Sequence, residues 1–473
     1  MNEQGRVPNT QLAALMREAQ LSQKSLAHHM RMISERDNGK PIAPSHTNVA
    51  KWLSGETRRP NARTCQVLVK ALSGRLQRRL TLEDVGYGGG RPGNTPDESP
   101  LDYPETIEAT VTSLERLAAY ELRDGAATGG LVVVPEAWDG LLTRWTYGED
   151  SEPHAPVEPR PIGEVDVEVV KDATAYFANA DYRYGGGRPR PMVGTFLKTE
   201  VLPLLPAVSP STAIGREYFR EVAALTRLAG WTAYDIGEHG AAQHYLFLAF
   251  RLARAAGDKA LCGRILAGMS HQANFLGHFE RAVHLARGAA FGARDHATAT
   301  TNALFYAMEA RALASMGKTA ETIAALAAAE QWLGKSDPEK DPEWITYFDN
   351  AELHAEFAHC YRDLGQADLA VHHAAESISS SKNLYVRSLS FCRTVLATGH
   401  LQANEIEEAV KVAQGVVDTA VQLKSFRVVS YLHDFRKRLR GHSSESAVRD
   451  FTEQTESLLG SVDSPLSRQL FIA

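Results

Sequence analysis

The stretch with the most chemistry to offer is Ser45-His46-Thr47-Asn48-Val49-Ala50-Lys51-Trp52-Leu53-Ser54-Gly55-Glu56-Thr57-Arg58-Arg59-Pro60, in which hydrogen-bonding and basic side chains surround a few apolar ones. It lies in a segment, residues 1–91, that holds 15 Lys and Arg against 7 Asp and Glu, a net +8; the remainder carries −14, for an overall −6. A small basic segment on a larger acidic body is the charge distribution expected when one end of a chain meets nucleic acid. Other chemistries find little support. Gly185-Gly186-Gly187-Arg188 is not followed by Gly-Lys-Ser/Thr and follows no strand pattern, so it reads as a loop rather than a phosphate cradle. His372 and His373 point in different directions on a helix, and Cys65, Cys262, Cys360 and Cys392 lack CxxC spacing, so neither a metal site nor a disulfide framework is expected. No catalytic constellation emerges, and the chain reads as a non-enzyme without cofactors.

The elements that must position these residues are helical. Asn9 and Thr10 precede apolar Leu12, Leu15 and Met16; a second helix begins at Ser22 and runs through Leu26, Met30 and Ile33 to the turn-forming Asp37-Asn38-Gly39-Lys40-Pro41. Ser45 caps a third helix through Val49 and Trp52 that stops at Gly55, and a fourth spans about 62–72. Residues 1–85 thus form one domain, and 86–100, rich in Gly and Pro, a linker. A helical connecting domain is expected over 101–216, interrupted by a short ambiguous stretch at Leu131–Val134, a Pro-rich acidic loop over 151–161 and the glycine run at 185–187.

From about 217 to 440 the chain repeats. Gly237-Glu238-His239-Gly240-Ala241-Ala242, Gly277-His278-Phe279-Glu280-Arg281-Ala282, Gly317-Lys318-Thr319-Ala320-Glu321-Thr322, Gly365-Gln366-Ala367-Asp368-Leu369-Ala370 and Asn404-Glu405-Ile406-Glu407-Glu408-Ala409 share one template. Their leading residues stand 40, 40, 48 and 39 apart, the long interval holding the insertion 334–342. Gly or Asn at the lead suits a left-handed turn between antiparallel helices, and a small residue five later lets the second helix pack closely on the first. The fold class expected is all-α: a small helical domain, then a helical-repeat solenoid, then a tail over 441–473. With 44% hydrophobic residues and no run near ~18 uninterrupted apolar positions, the reading is a soluble globular protein. No apolar segment follows Met1, so a cytoplasmic, nucleoid-associated location is expected.

Two resemblances sharpen this. Ser22-Gln23-Lys24-Ser25-Leu26-Ala27 together with the 45–60 stretch resembles the Xre/Cro (lambda-repressor-like) helix-turn-helix family, the second stretch matching its recognition helix, terminating glycine and basic segment. The resemblance implies that Val49 and Trp52 face inward and that Ser45, His46, Thr47, Asn48 and Lys51 lie at or on the DNA-facing helix, where His46, Thr47 and Lys51 reach base edges. Gln23, Arg58 and Arg59 are then placed on phosphates. One departure is evident: Ala27 and Val49 are 22 residues apart, about twice the family's compact turn, so helix 2 is lengthened or a loop is inserted.

The five-copy array looks like tetratricopeptide repeats with each unit lengthened. In that family the first helix of each pair lines a concave groove, which makes Arg227, Trp231, Tyr234, His271, Asn274, Arg311, His359 and Arg362 the ligand candidates. Basic and aromatic groups together suit a peptide, a small molecule or a protein ligand. The whole order of parts, with Tyr184-Gly185-Gly186-Gly187 and the run from Ala229 to Gly237, resembles actinomycete regulators of development and antibiotic production that join these two modules. It implies a homodimeric, double-stranded-DNA-binding transcription regulator, often a repressor, with no membrane partner. The alternative is a protein-interaction scaffold with a weak or vestigial DNA-binding domain.

Overall fold

The computed structural model describes residues 8–19, 21–36, 42–57, 60, 62–76, 80, 84–85, 87, 101, 103–123, 131–148, 162–381 and 385–459. Among them the chain is all-α, with twenty α-helices and no strand. It divides into two compact units, Met1–Asn94 and Thr95–Ala473.

The first unit holds α1 (Thr10–Glu18), α2 (Gln23–Arg36), α3 (His46–Leu53) and α4 (Ala62–Leu76). Caps set three of its starts. Asn9 Oδ1 accepts from the Leu12 N–H at 2.9 Å, Ser22 Oγ from the Ser25 N–H at 3.1 Å, and Ser45 Oγ from the Asn48 N–H at 3.2 Å while Asn48 Oδ1 accepts from the Ser45 N–H. Leu12, Leu15 and Met16 of α1, Leu26 and Met30 of α2, Val49 and Trp52 of α3 and Val67, Leu68 and Leu72 of α4 make one core. The wide spacing from helix 2 to helix 3 is shared between a long α2, which spans 14 residues, and the connection after it, where the Ile42 N–H donates to Ser34 Oγ at 2.8 Å. Residues 37–41 lie outside the described residues.

The second unit opens with α5 (Ile107–Arg123), α6 (Pro135–Tyr147), α7 (Glu164–Tyr184) and α8 (Arg190–Phe196), the last continuing as a π-helical turn over Leu197–Val201. Five antiparallel pairs follow: α9 (Ala213–Asp235) with α10 (His239–Ala255), α11 (Lys259–Phe275) with α12 (Phe279–Ala293), α13 (Ala299–Ser315) with α14 (Thr319–Leu333), α15 (Asn350–Asp363) with α16 (Ala367–Ser380), and α17 (Val386–Gln402) with α18 (Ile406–Ala420). α19 (Phe426–Arg438) and α20 (Ser446–Leu459) finish the array.

Every template lead sits at the turn within a pair. Gly237, Gly277, Gly317 and Gly365 take φ of 86°, 83°, 71° and 70°, and Asn404 takes 63°. In each case the following N–H donates to the carbonyl five residues back, at 2.8–3.0 Å (Glu238 to Ala233, His278 to Ala273, Lys318 to Leu313, Gln366 to Tyr361, Glu405 to His400). This bond closes the helix end and turns the chain back on itself. The small residues five later, Ala242, Ala282, Thr322, Ala370 and Ala409, are all fully buried.

The array is closed by contacts outside the repeat template. α7 packs against both α9 and α17. The Lys424 N–H donates to the Tyr184 carbonyl and the Gly187 N–H to the Lys424 carbonyl, each at 3.0 Å. A Cβ at Gly185 would stand 2.8 Å from the Lys424 oxygen, and one at Gly186 2.8 Å from the Thr232 oxygen, so the glycine run is what lets three backbones meet. Two boundaries shift from expectation. The array begins at 213, inside the expected connecting domain, and the expected C-terminal tail is ordered helix as far as 459, with Val448 and Phe451 buried against α18 and α19. Residues 460–473 lie outside the described residues.

Candidate ligand cavity and nucleic-acid interface

On the first unit, α3 is sided. Val49 and Trp52 are buried, whereas His46, Thr47 and Lys51 are exposed, as is Gln23 at the start of α2. Lys51 Nζ lies 3.0 Å from Glu56, an exposed pair worth only about 0–1 kcal/mol and therefore easily exchanged for another anion. Ser45 and Asn48 are exposed too, but their side chains are committed to each other and to the helix cap, with Ser45 Oγ also donating to Asn48 Oδ1 at 2.7 Å. Arg58 and Arg59 lie outside the described residues.

In the second unit, the first helices of the pairs line a cavity of about 130 Å³, closed by α7 on one side and α19 on the other. Its wall is dense in charge. Arg387 of α17 grips Asp181 of α7 with two parallel bonds, Nη1 to Oδ1 at 2.5 Å and Nη2 to Oδ2 at 2.7 Å. It also approaches Asp235 of α9 at 3.4 Å. Asp235 further accepts from Ser425 Oγ at 3.0 Å and the Gly186 N–H at 2.8 Å, with Arg427 at 3.8 Å. Arg311 pairs with Glu356 at 2.7 Å. The Arg427 guanidinium stacks over Tyr234 and Phe391, 4.6 Å from each ring centre.

The structure brings the eight sequence-selected groove residues to one face. Arg227, Trp231, His271, Arg311 and His359 line the cavity. Tyr234 stands directly behind it, its hydroxyl 2.8 Å from His271 Nδ1. Asn274 and Arg362 line a more open pocket that shares His271, Arg311 and Tyr431 with the first. Arg362 there is held by Asp363 at 2.6 Å and lies over the Tyr431 ring. Several wall residues escaped the sequence reading: Asp181 and Tyr182 from α7, Arg264, Tyr347, Glu352, Glu356, Arg387, and Arg427 with Tyr431 from α19. Arg264, Glu352 and Phe391 all stand 13 residues before their repeat leads, on the same helix face as His271, His359 and Thr398, so extending that face by two turns would have found them. α7 and α19 lie outside the template and give no such signal.

Burial moves the titration of this wall. His271 and His359 are pushed well below the ordinary histidine value by burial, then by Arg427 and Arg311 respectively. His239 and His244 are pushed down to about 4, mainly by burial. Because the folded state favours the neutral imidazoles, their contribution to stability is present above the unfolded value of about 6.5 and is lost as pH falls below it. Thermal melts are therefore expected to show falling stability from about pH 6.5 towards pH 4. The double change His271→Gln/His359→Gln should make that fall shallower; an unchanged slope would remove these two groups as its cause.

The fold and its sites define an all-α protein of two units, one a small capped four-helix unit and the other an array of helix pairs around a charged cavity. Within the first unit, residues 12–88 are similar to the SP15 N-terminal domain family. No curated protein matches the chain. Among the described residues no helix is long and apolar enough to cross a membrane, and no group of three or more His, Cys, Asp or Glu is arranged to hold a metal ion.

Proposed function

We propose that the chain is a sequence-specific DNA-binding transcription regulator, a repressor of the Xre/Cro type acting as a homodimer, whose tetratricopeptide-like array senses a ligand or partner. The observation that carries this reading is the sidedness of α3: a short, doubly capped helix fixed by Val49 and Trp52 that leaves His46, Thr47 and Lys51 outward in a segment of net charge +8. Groups of these types at the exposed start of a helix suit base edges in a major groove, and the neighbouring Arg58 and Arg59 suit phosphates. Dimerisation would place two such helices on paired half-sites, multiplying modest single contacts.

Genomic selection of bound sequences followed by salt-dependent binding assays tests the proposal. Lys51→Ala should weaken specific binding. Arg58→Ala/Arg59→Ala should weaken binding to all sequences and flatten the plot of log affinity against log salt by about 1–2 units, since each lost phosphate contact removes about 0.9. Failure to select any sequence would favour the protein-interaction scaffold, which the array of helix pairs independently supports.

A further inference from the structure

We propose that the cavity binds a small organic acid, its anionic head, carboxylate or phosphate, seated on the Arg227–Arg264 pair and its apolar body against Leu228, Leu304 and Met308. The inference rests on reading the array as a sensing domain and gives that domain a ligand class.

The charge inventory of the cavity leads to it. Arg387 is matched by Asp181 and Asp235, Arg311 by Glu356, and Arg427 by Asp235 and three aromatic rings. Among the described residues Arg227 and Arg264 have no such partner, making neither a hydrogen bond nor an ion pair, and Arg264 is only 8% exposed. Asp181, the carboxylate that acts on Arg227, gives both oxygens to Arg387. Burial, then Glu356 and Asp349, push the Glu352 carboxyl up from its ordinary value.

Guanidiniums do not shed their protons at ordinary pH, so two of them on one largely buried wall carry an uncompensated cost until an anion arrives. Burial lowers the basicity of both, and at Arg264 the neighbouring Arg227 adds to it, bringing that group down to about 9. The Arg264 guanidinium lies over the Trp344 ring, 4.6 Å from its centre, a cation-π contact that holds it in place. Arg227 Nε is buried without an acceptor. Tyr182 and Tyr347 line the same cavity.

Size and enclosure choose the occupant. At roughly 10–15 Å³ for each water-sized probe position, a cavity of 130 Å³ admits on the order of ten non-hydrogen atoms. That suits a simple acid. Leu228, Leu304 and Met308, also on the cavity wall, have apolar side chains and fit a hydrocarbon or aromatic body.

The test uses the full chain, thermal melts and calorimetric titration, with benzoate, phenyl phosphate and inorganic phosphate as anionic probes and benzamide and benzylamine as uncharged-head and cationic controls. Stabilisation by benzoate or by the phosphates, with none from the controls, is the expected result, and which probe responds names the head group. Arg264→Met should leave the free protein at least as stable, since an unpaired buried charge is removed, yet weaken the responding anion at least tenfold; Arg227→Met, a second variant at the same locus, should do the same. The proposal is overturned if no anion at millimolar concentration stabilises the chain, if benzamide matches benzoate, or if both variants retain full response. DNA binding measured on the same samples separates the two readings: anion binding without DNA binding sinks the regulator and leaves this site, and the converse sinks the site alone.

Discussion

Replacing Arg387 with methionine is expected to lower the stability of the second unit by about 3–5 kcal/mol, the cost of stripping a buried ion pair of one partner. Asp181 and Asp235, 1% and 0% exposed, would then sit in the interior with Asp181 deprived of both its short bonds. Against an ordinary folding stability of about 5–15 kcal/mol, such a loss is large. It is also localised, because this arginine joins α17 to α7 and α9 and so latches the end of the array to its beginning. Urea melts should show a lower midpoint, and hydrogen exchange should rise first along α7. Two controls fix the cause. Adding Asp181→Leu to the variant should recover most of the loss, since removing both partners of a buried pair is far cheaper than removing one. Arg144→Met, which breaks an exposed pair with Glu105 at 2.7 Å, should cost no more than about 1 kcal/mol. Equal effects at Arg387 and Arg144 would show that the buried network does not hold the array closed.

The parts of this fold that were legible in the sequence are those enforced locally. A turn with positive φ demands Gly or Asn, so Gly237, Gly277, Gly317, Gly365 and Asn404 announce five helix pairs from their spacing alone. Asn9 and Ser45 mark helix starts because their side chains satisfy N–H groups within three residues. The groove residues Trp231, His271, Arg311 and His359 follow from one repeat position, six before the lead, since a helix presents the same face in each copy. What stayed hidden depends on partners remote in sequence. Arg387 meets Asp181 across 206 residues, and no periodicity links them. The glycines at 185–187 read as a loop because their real constraint, the backbone of Lys424 and Thr232, is visible only once the array has closed. α20 read as a tail because its apolar residues are few and its core partners for Val448 and Phe451, α18 and α19, come from outside it. The cavity was half visible for the same reason: its repeat-borne wall could be read, its two closing helices could not.

Trp52→Ala is expected to melt the first unit while leaving the second intact. Trp52 is 4% exposed at the centre of a core drawn from four helices, and α3, which it anchors, is only 8 residues long. A helix of that length has no stability of its own in water, since isolated helices below ~12–15 residues are marginal, so its position depends on Val49 and Trp52. Truncating a buried tryptophan to alanine costs about 3–5 kcal/mol, enough to use up most of what a domain of this size has to spare. Amide exchange in α1 to α4 should become fast, the α9 to α18 amides should keep their protection, and a low-temperature transition should separate from the main melt. Trp52→Phe, which keeps an aromatic filler, should retain both the fold and one cooperative transition for this unit. The contrast with Lys51→Ala gives the change functional meaning. That substitution removes an exposed side chain and should weaken recognition with the fold unchanged, whereas Trp52→Ala removes the platform and should abolish binding to every DNA sequence at every salt concentration. If Trp52→Ala left exchange across α1 to α4 unaltered, the packing of α3 on its core would not be what presents His46, Thr47 and Lys51, and the recognition surface would have to be sought elsewhere.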